Sequence, residues 1–151
     1  MKRMLVFLTA VAILGATAAA SATSATRIPG FHSPTGNIRC LYVPGSRAPS
    51  TLLCTIARAD YAKTVQARCM SPNGAGVDWH GFTLPDTKKG SILCAGGIMY
   101  DARDTPTYVS LAYGKTWHYK AFTCKSRATG LTCTNRAGHG LFLSRESYRV
   151  F

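Results

Sequence analysis

The chain has 151 residues, 46% of them hydrophobic, and carries 18 Lys and Arg against 6 Asp and Glu, a net charge of +12. That length suits one domain, which buries roughly two-thirds of the surface its unfolded chain exposes. Five Asp and one Glu, dispersed along the chain, are a poor basis for a glycosidase, which needs two carboxylates at a set separation. The Gly-x-Ser-x-Gly, phosphate-loop and His-Glu-x-x-His signatures are also absent.

Lys2 and Arg3 precede an apolar run from Met4 to Leu14, and small residues follow as far as Ala20-Ser21-Ala22. This pattern predicts an export leader over 1–22, cut after Ala22, with Ala25 as the alternative, and a single domain over 23–151. No second apolar stretch could span a membrane after cleavage, no cysteine stands at the cleavage point, and no Asn-x-Ser/Thr acceptor occurs. Two of the eighteen basic residues and none of the six acids fall in the leader, which leaves +10 on the rest. Such a charge favours anionic company: acidic wall polymers, lipid head groups, extracellular nucleic acid or an acidic protein face. Solubility alone accounts for it equally well, because the longest basic run is Lys88-Lys89.

Beyond the leader the sequence reads as strands and turns. Ser33-Pro34-Thr35-Gly36 and Ser71-Pro72-Asn73-Gly74 carry the residues of type I turns and mark strand entrances. Strands are predicted over Asn37–Val43, Thr51–Ala57, Val77–Leu84, Ser91–Ala95, Ile98–Tyr100, Tyr108–Ala112 and Thr116–Tyr119, then 122–126, 131–134 and Gly140–Leu143. Spacing of this kind predicts an all-β fold, a small antiparallel sandwich or barrel. The one helical signal is Ser144-Arg145-Glu146-Ser147-Tyr148, where Ser144 could cap a single closing turn.

Six cysteines stand at 40, 54, 69, 94, 124 and 133. The runs around Cys124 and Cys133 flank Arg127-Ala128-Thr129-Gly130, where Gly130 can supply the positive φ of a hairpin exit, so these two cysteines face each other. Similar reasoning pairs Cys40 with Cys54 across a Pro-Gly-containing loop, and leaves Cys69 to Cys94. Export and the absence of Cys-x-x-Cys favour disulfides over a structural zinc site. Neither a metal nor a cofactor is expected.

Phe31-His32-Ser33-Pro34-Thr35-Gly36-Asn37-Ile38-Arg39-Cys40 and the block from Phe122 to Tyr148 resemble a family of small secreted bacterial domains of unknown function, common in high-GC Gram-positive bacteria. Cys54, Asp78-Trp79, Cys94 and the stretch Ala112-Tyr113-Gly114-Lys115-Thr116-Trp117 fit the same pattern. His80 and Ala95-Gly96-Gly97 depart from it, His80 standing where glycine is expected and the triplet replacing a more acidic segment. The resemblance implies export and a disulfide frame. It implies no activity.

Asn135-Arg136-Ala137-Gly138-His139-Gly140, leading to Arg145, is the first candidate binding constellation. His139 could act as acid, base or donor to an anionic group beside Arg136 and Arg145. Gly-His-Gly serves equally as a tight turn, and turns need glycine more often than sites need this tripeptide. Asp78-Trp79-His80 is the second: alternation puts Asp78 and His80 on one face and Trp79 on the other, toward the core. Tyr113, Trp117, Tyr119 and Phe122 interleave with Lys115, Lys120 and Lys125, a pattern that fits stacking on bases or sugars but also a strand with aromatics inside. Asp101-Ala102-Arg103-Asp104 lacks cation-loop spacing. The expectation is a non-enzymatic binding module for an anionic envelope polymer or an acidic protein, with nucleic acid less favoured. The alternatives are a ribonuclease-type hydrolase using His139 with Glu146 or His118, and a secreted enzyme inhibitor.

Overall fold

Two β-meanders fold face to face in the computed structural model, which describes residues 27–70, 76–95 and 105–151. The leader and its cleavage points, the Ser71–Gly74 turn, the 98–100 strand, Gly96-Gly97 and the 101–104 loop lie outside the described residues. The first sheet holds β1 (Arg27–His32), β2 (Ile38–Val43), β3 (Thr51–Ile56), β4 (Trp79–Pro85), β5 (Ser91–Cys94) and β6 (Thr105–Ser110), in the order β5-β4-β3-β2-β1-β6. The second holds β7 (Thr116–Tyr119), β8 (Phe122–Arg127), β9 (Gly130–Asn135), β10 (Gly140–Leu143) and β11 (Tyr148–Val150) in simple sequence order. The fold is therefore all-β, in the sandwich form.

Three features depart from the expectations. β6 runs parallel to β1, so the sandwich is not wholly antiparallel. β1 itself carries Pro29 and Gly30, residues that argue against a strand. Both fit their places. The β1–β2 ladder begins at Gly30 opposite Leu41, so Pro29, with no N–H to donate, lies just beyond it. At Gly30 the Tyr108 ring and the Cys40 carbonyl come so close that a Cβ would meet them at 3.1 and 2.6 Å.

The third departure concerns helix. The residues after Ser144 form no helical turn: the Ser144 hydroxyl accepts from the N–H groups of Glu146 and Ser147 in a short loop, and the chain continues as β11. The helix is instead α1 (Ala62–Cys69), which buries Val65 and Cys69, one turn apart, and no other residue. It has no side-chain cap at Tyr61 and is held by tertiary bonds. Cys69 is bonded to Cys94, and the Gln66 amide accepts from the Trp79 N–H at 2.8 Å and donates to the Val77 carbonyl at 3.4 Å.

The core is made by the inward positions of both sheets, with Phe31, Leu52, Phe82 and Leu84 from the first and Phe122, Leu131, Leu141 and Leu143 from the second, all at most 2% exposed. Cys40–Cys54 and Cys124–Cys133 join directly opposed residues, with Cα–Cα distances of 4.1 and 4.0 Å. They meet mid-core, where the sulfurs of Cys40, Cys54 and Cys133 lie within 4.8 Å of one another. All six sulfurs are consumed in disulfides, which leaves no thiolate for a metal. Trp79 and Phe82, three apart, nevertheless share the inner side with centroids 5.7 Å apart. A bulge between Trp79 and Gly81 resets the alternation, and Gly81 sits at φ 121°, against the Cys54 carbonyl.

Candidate anion-binding groove

The loops gather at two ends of the sandwich, and the predicted site residues divide between them. At one end Asn135 closes β9. Its buried amide donates to the carbonyls of Pro85 (2.7 Å) and Lys88 (2.8 Å), and its Oδ1 accepts from the N–H groups of Ala137 (3.0 Å) and His139 (3.1 Å). With both N–H groups and the carbonyl engaged, this side chain is a clip between two loops. Gly138 at φ 82° completes the turn, and the backbone of Asn135 bonds back to His139. Arg136 pairs with Asp86 at 3.0 Å. His139 is partly buried, and its ring makes no hydrogen bond among the described residues.

The other candidates lie elsewhere. Arg145 and Glu146 follow β10 while His139 precedes it, and a four-residue strand is about 10–13 Å long. His118, on β7, stands three inter-strand spacings from β10, about 14 Å, and bonds to the Thr123 hydroxyl at 3.0 Å. A general acid and a general base must each come within about 3 Å of the substrate atoms they serve, on one reacting group. The structure brings His139 to neither Glu146 nor His118. Asp78 and His80 are exposed around the start of β4 and do not line the groove described below. Trp79 packs on Tyr61 and Phe82, its indole N–H donating to the Gly81 carbonyl at 2.7 Å. Of the interleaved aromatics, Trp117 packs on Phe31 at 4.9 Å, Tyr119 on Tyr42 at 4.8 Å, and Phe122 is 1% exposed. Lys115, Lys120 and Lys125 are exposed. Only Tyr113 of the four faces solvent, at 48%.

Tyr113 stands at the rim of an open groove of about 550 Å³ at the opposite end of the sandwich. Its walls are the β1–β2 turn, the end of β3, the β8–β9 hairpin tip and the β10–β11 loop. Local chemistry holds each wall in place. Ser33 accepts from the Gly36 N–H (2.8 Å) through its carbonyl and from the Ile38 N–H (3.1 Å) through its hydroxyl, with Gly36 at φ 70°. Asn37 bonds through both side-chain groups to the backbone of Arg58, accepting at 2.8 Å and donating at 3.0 Å, and fixes the chain leaving β3 against that turn. The Arg145 carbonyl accepts from the Asp60 N–H and the Ser144 carbonyl from the Tyr61 hydroxyl, at 2.9 and 3.2 Å. Tyr61 is pushed up to about 12 by burial first, then by Tyr148 and Glu146, so it remains a donor at any physiological pH.

Three arginines line the groove, Arg58, Arg127 and Arg145, against one acidic residue, Glu146. Arg145 also reaches Asp60 at 3.2 Å, with both side chains about 60% exposed. Neither Arg58 nor Arg127 has an ion-pair partner among the described residues. Hydroxyls of Ser33, Thr35 and Thr129 line the same space. A planar guanidinium fork matches carboxylate and phosphate bidentately, so the groove is chemically suited to an anionic group with polar neighbours.

Sequence reasoning singled out Arg145 and Glu146 but missed Arg58, Arg127 and Tyr113 as groove residues. The available signal was the turn at Ser33–Gly36, whose Asn37 reaches across 21 residues to Arg58.

Residues 8–151 match the family of unknown function DUF6636. The chain belongs to that family. No curated protein and no solved structure matches it. No helix among the described residues is long and apolar enough to cross a membrane.

Proposed function

We propose that this DUF6636 protein is an exported, non-enzymatic binding module that takes an anionic group of a cell-envelope polymer into the groove between Arg58, Arg127 and Arg145. The observation that carries this reading is the convergence of three arginines from three separate chain segments, two of them without a carboxylate partner among the described residues, on one open cleft. Location outside the cytoplasm is supported by the leader pattern and by three disulfides. The separation of His139 from Glu146 and His118 weighs against the ribonuclease reading.

Retention on purified cell wall at low and high ionic strength tests the reading. Charge-assisted contacts weaken with salt, so retention falls as salt rises. Arg58→Ala with Arg127→Ala weakens it by about tenfold or more, the equivalent of one charged hydrogen bond. Retention that ignores both salt and the double variant overturns the proposal.

A further inference from the structure

Among the described residues, the strands of the second sheet carry basic side chains and no acidic one. Along β8 to β10 the inner positions are buried, along β11 they are half-buried, and the alternate ones point outward. Register lines up the outward positions in rows across the sheet: Thr116, Lys125, Thr132, Phe142 and Arg149 face one another in turn, and His118, Thr123 and Thr134 form the next row. No strand of this sheet contains an acidic residue. Lys125 and Arg149, in one row, lie three strand spacings apart, about 14 Å.

Two phenylalanine rings lie against glycines on this face. A Cβ on Gly130 would meet the Phe142 ring at 2.8 Å, and one on Gly140 would meet the Phe151 ring at 2.5 Å, so each ring occupies the space above a glycine. Both remain partly exposed. The Arg149 guanidinium sits over Phe151, 5.2 Å from its centroid, which restrains the cation before any ligand arrives. Charges at intervals, a row of threonine hydroxyls and an apolar ring flush with the sheet match a polymer that has repeated acidic groups, hydroxyls and flat C–H faces.

We propose that the outer face of the five-stranded sheet binds a linear acidic polysaccharide, with Lys125 and Arg149 meeting its acidic groups and Phe142 a sugar face. This rests on the anion-binding reading above and names a ligand class at a second surface, joined to the groove at Arg127, which faces outward beside both. A ligand that follows this row spans more than one sugar ring, so the face selects chains over monosaccharides.

The test is binding to polygalacturonate, with neutral dextran and inorganic polyphosphate as comparators, on protein whose disulfides and far-ultraviolet spectrum match the wild type. Polygalacturonate binds and dextran does not. Thr132→Glu, an acid placed mid-row on the partly exposed outer face, weakens binding about tenfold or more through like-charge repulsion, and Lys125→Ala with Arg149→Ala does the same by loss of attraction. Phe142→Ala weakens polygalacturonate binding and leaves polyphosphate binding unchanged. Arg58→Ala, in the groove, lowers retention on cell wall, whereas Thr132→Glu and the Lys125/Arg149 pair lower polygalacturonate binding, so failure of the face and failure of the groove are read separately. Unchanged affinity in folded Thr132→Glu and in the Lys125/Arg149 double variant overturns the proposal. So does polyphosphate binding as tightly as polygalacturonate with Phe142→Ala indifferent to both, which marks a bare charge field.

Discussion

The two ends of this sandwich carry similar residues to different effect. Each presents an arginine with 63% of its side chain exposed, and each arginine reaches an aspartate, Arg136 to Asp86 and Arg145 to Asp60. At the Asn135 end the aspartate is 18% exposed and the neighbouring polar groups are consumed by one another. At the groove end Asp60 is 58% exposed, and Arg58 and Arg127 have no carboxylate partner among the described residues. A Gly-rich turn with a histidine is the more conspicuous in sequence, yet it is the end whose hydrogen bonds point inward. What separates a clip from a site here is where the polar groups are spent.

The sharpest way to break that contrast is Asn135→Ala. It removes four hydrogen bonds and strands the carbonyls of Pro85 and Lys88, at a cost of about 2–4 kcal/mol from loss of buried partners. Denaturant midpoints report the loss, and anion binding in the groove of the protein that remains folded stays as in the wild type. If groove binding falls instead, the two ends are not independent. Ser144→Ala is the counterpart in the groove wall. It deprives the Glu146 and Ser147 N–H groups of their acceptor and costs about 1–2 kcal/mol, with a loss of groove affinity that Asn135→Ala does not produce.

Tyr61→Phe costs about 1 kcal/mol at neutral pH by removing the bond to the Ser144 carbonyl. Its sharper signature is in alkali. A tyrosine raised from 10 to about 12 in the fold contributes stability that is complete below pH 10 and is lost as pH rises through about 12. Thermal midpoints of the wild type therefore fall across that window more steeply than those of Tyr61→Phe, and parallel curves refute this account. The smallest effect is that of Arg136→Ala, at most about 1 kcal/mol, because the Arg136 side chain is 63% exposed. An Arg136→Ala variant that lost as much stability as Asn135→Ala would mean the ion pair, not the amide, holds that end.

Much of the frame was legible in the sequence because it is local. Cys124 and Cys133 oppose each other across a hairpin closed by Gly130 at φ 143°, and β8 and β9 alternate in burial with period two. What escaped depends on distant partners. β1 reads as a breaker segment until β2 supplies a ladder that begins past Pro29 and β6 one that pairs Pro29 in parallel with Thr107. α1 buries only Val65 and Cys69 and has no capping side chain, so no apolar stripe announces it; β5 and Trp79 hold it. Ser144 was correctly read as an acceptor for the following N–H groups, but those bonds close a loop into β11 where a helical turn was expected. The groove was hidden for the same reason, since Arg58, Tyr113, Arg127 and Arg145 come from four places in the chain. The Asp78-Trp79-His80 alternation is present, with Asp78 and His80 exposed and Trp79 packed on the core, and the bulge between Trp79 and Gly81 shifts only the residues that follow.

The pattern of sulfur bonding has an implication for biogenesis. Cysteines 40 and 54, 69 and 94, and 124 and 133 are joined in strict order along the chain. An oxidase that meets the chain from its N-terminal side, linking each thiol to the previous unpaired one, arrives at the finished connectivity without a shuffling catalyst.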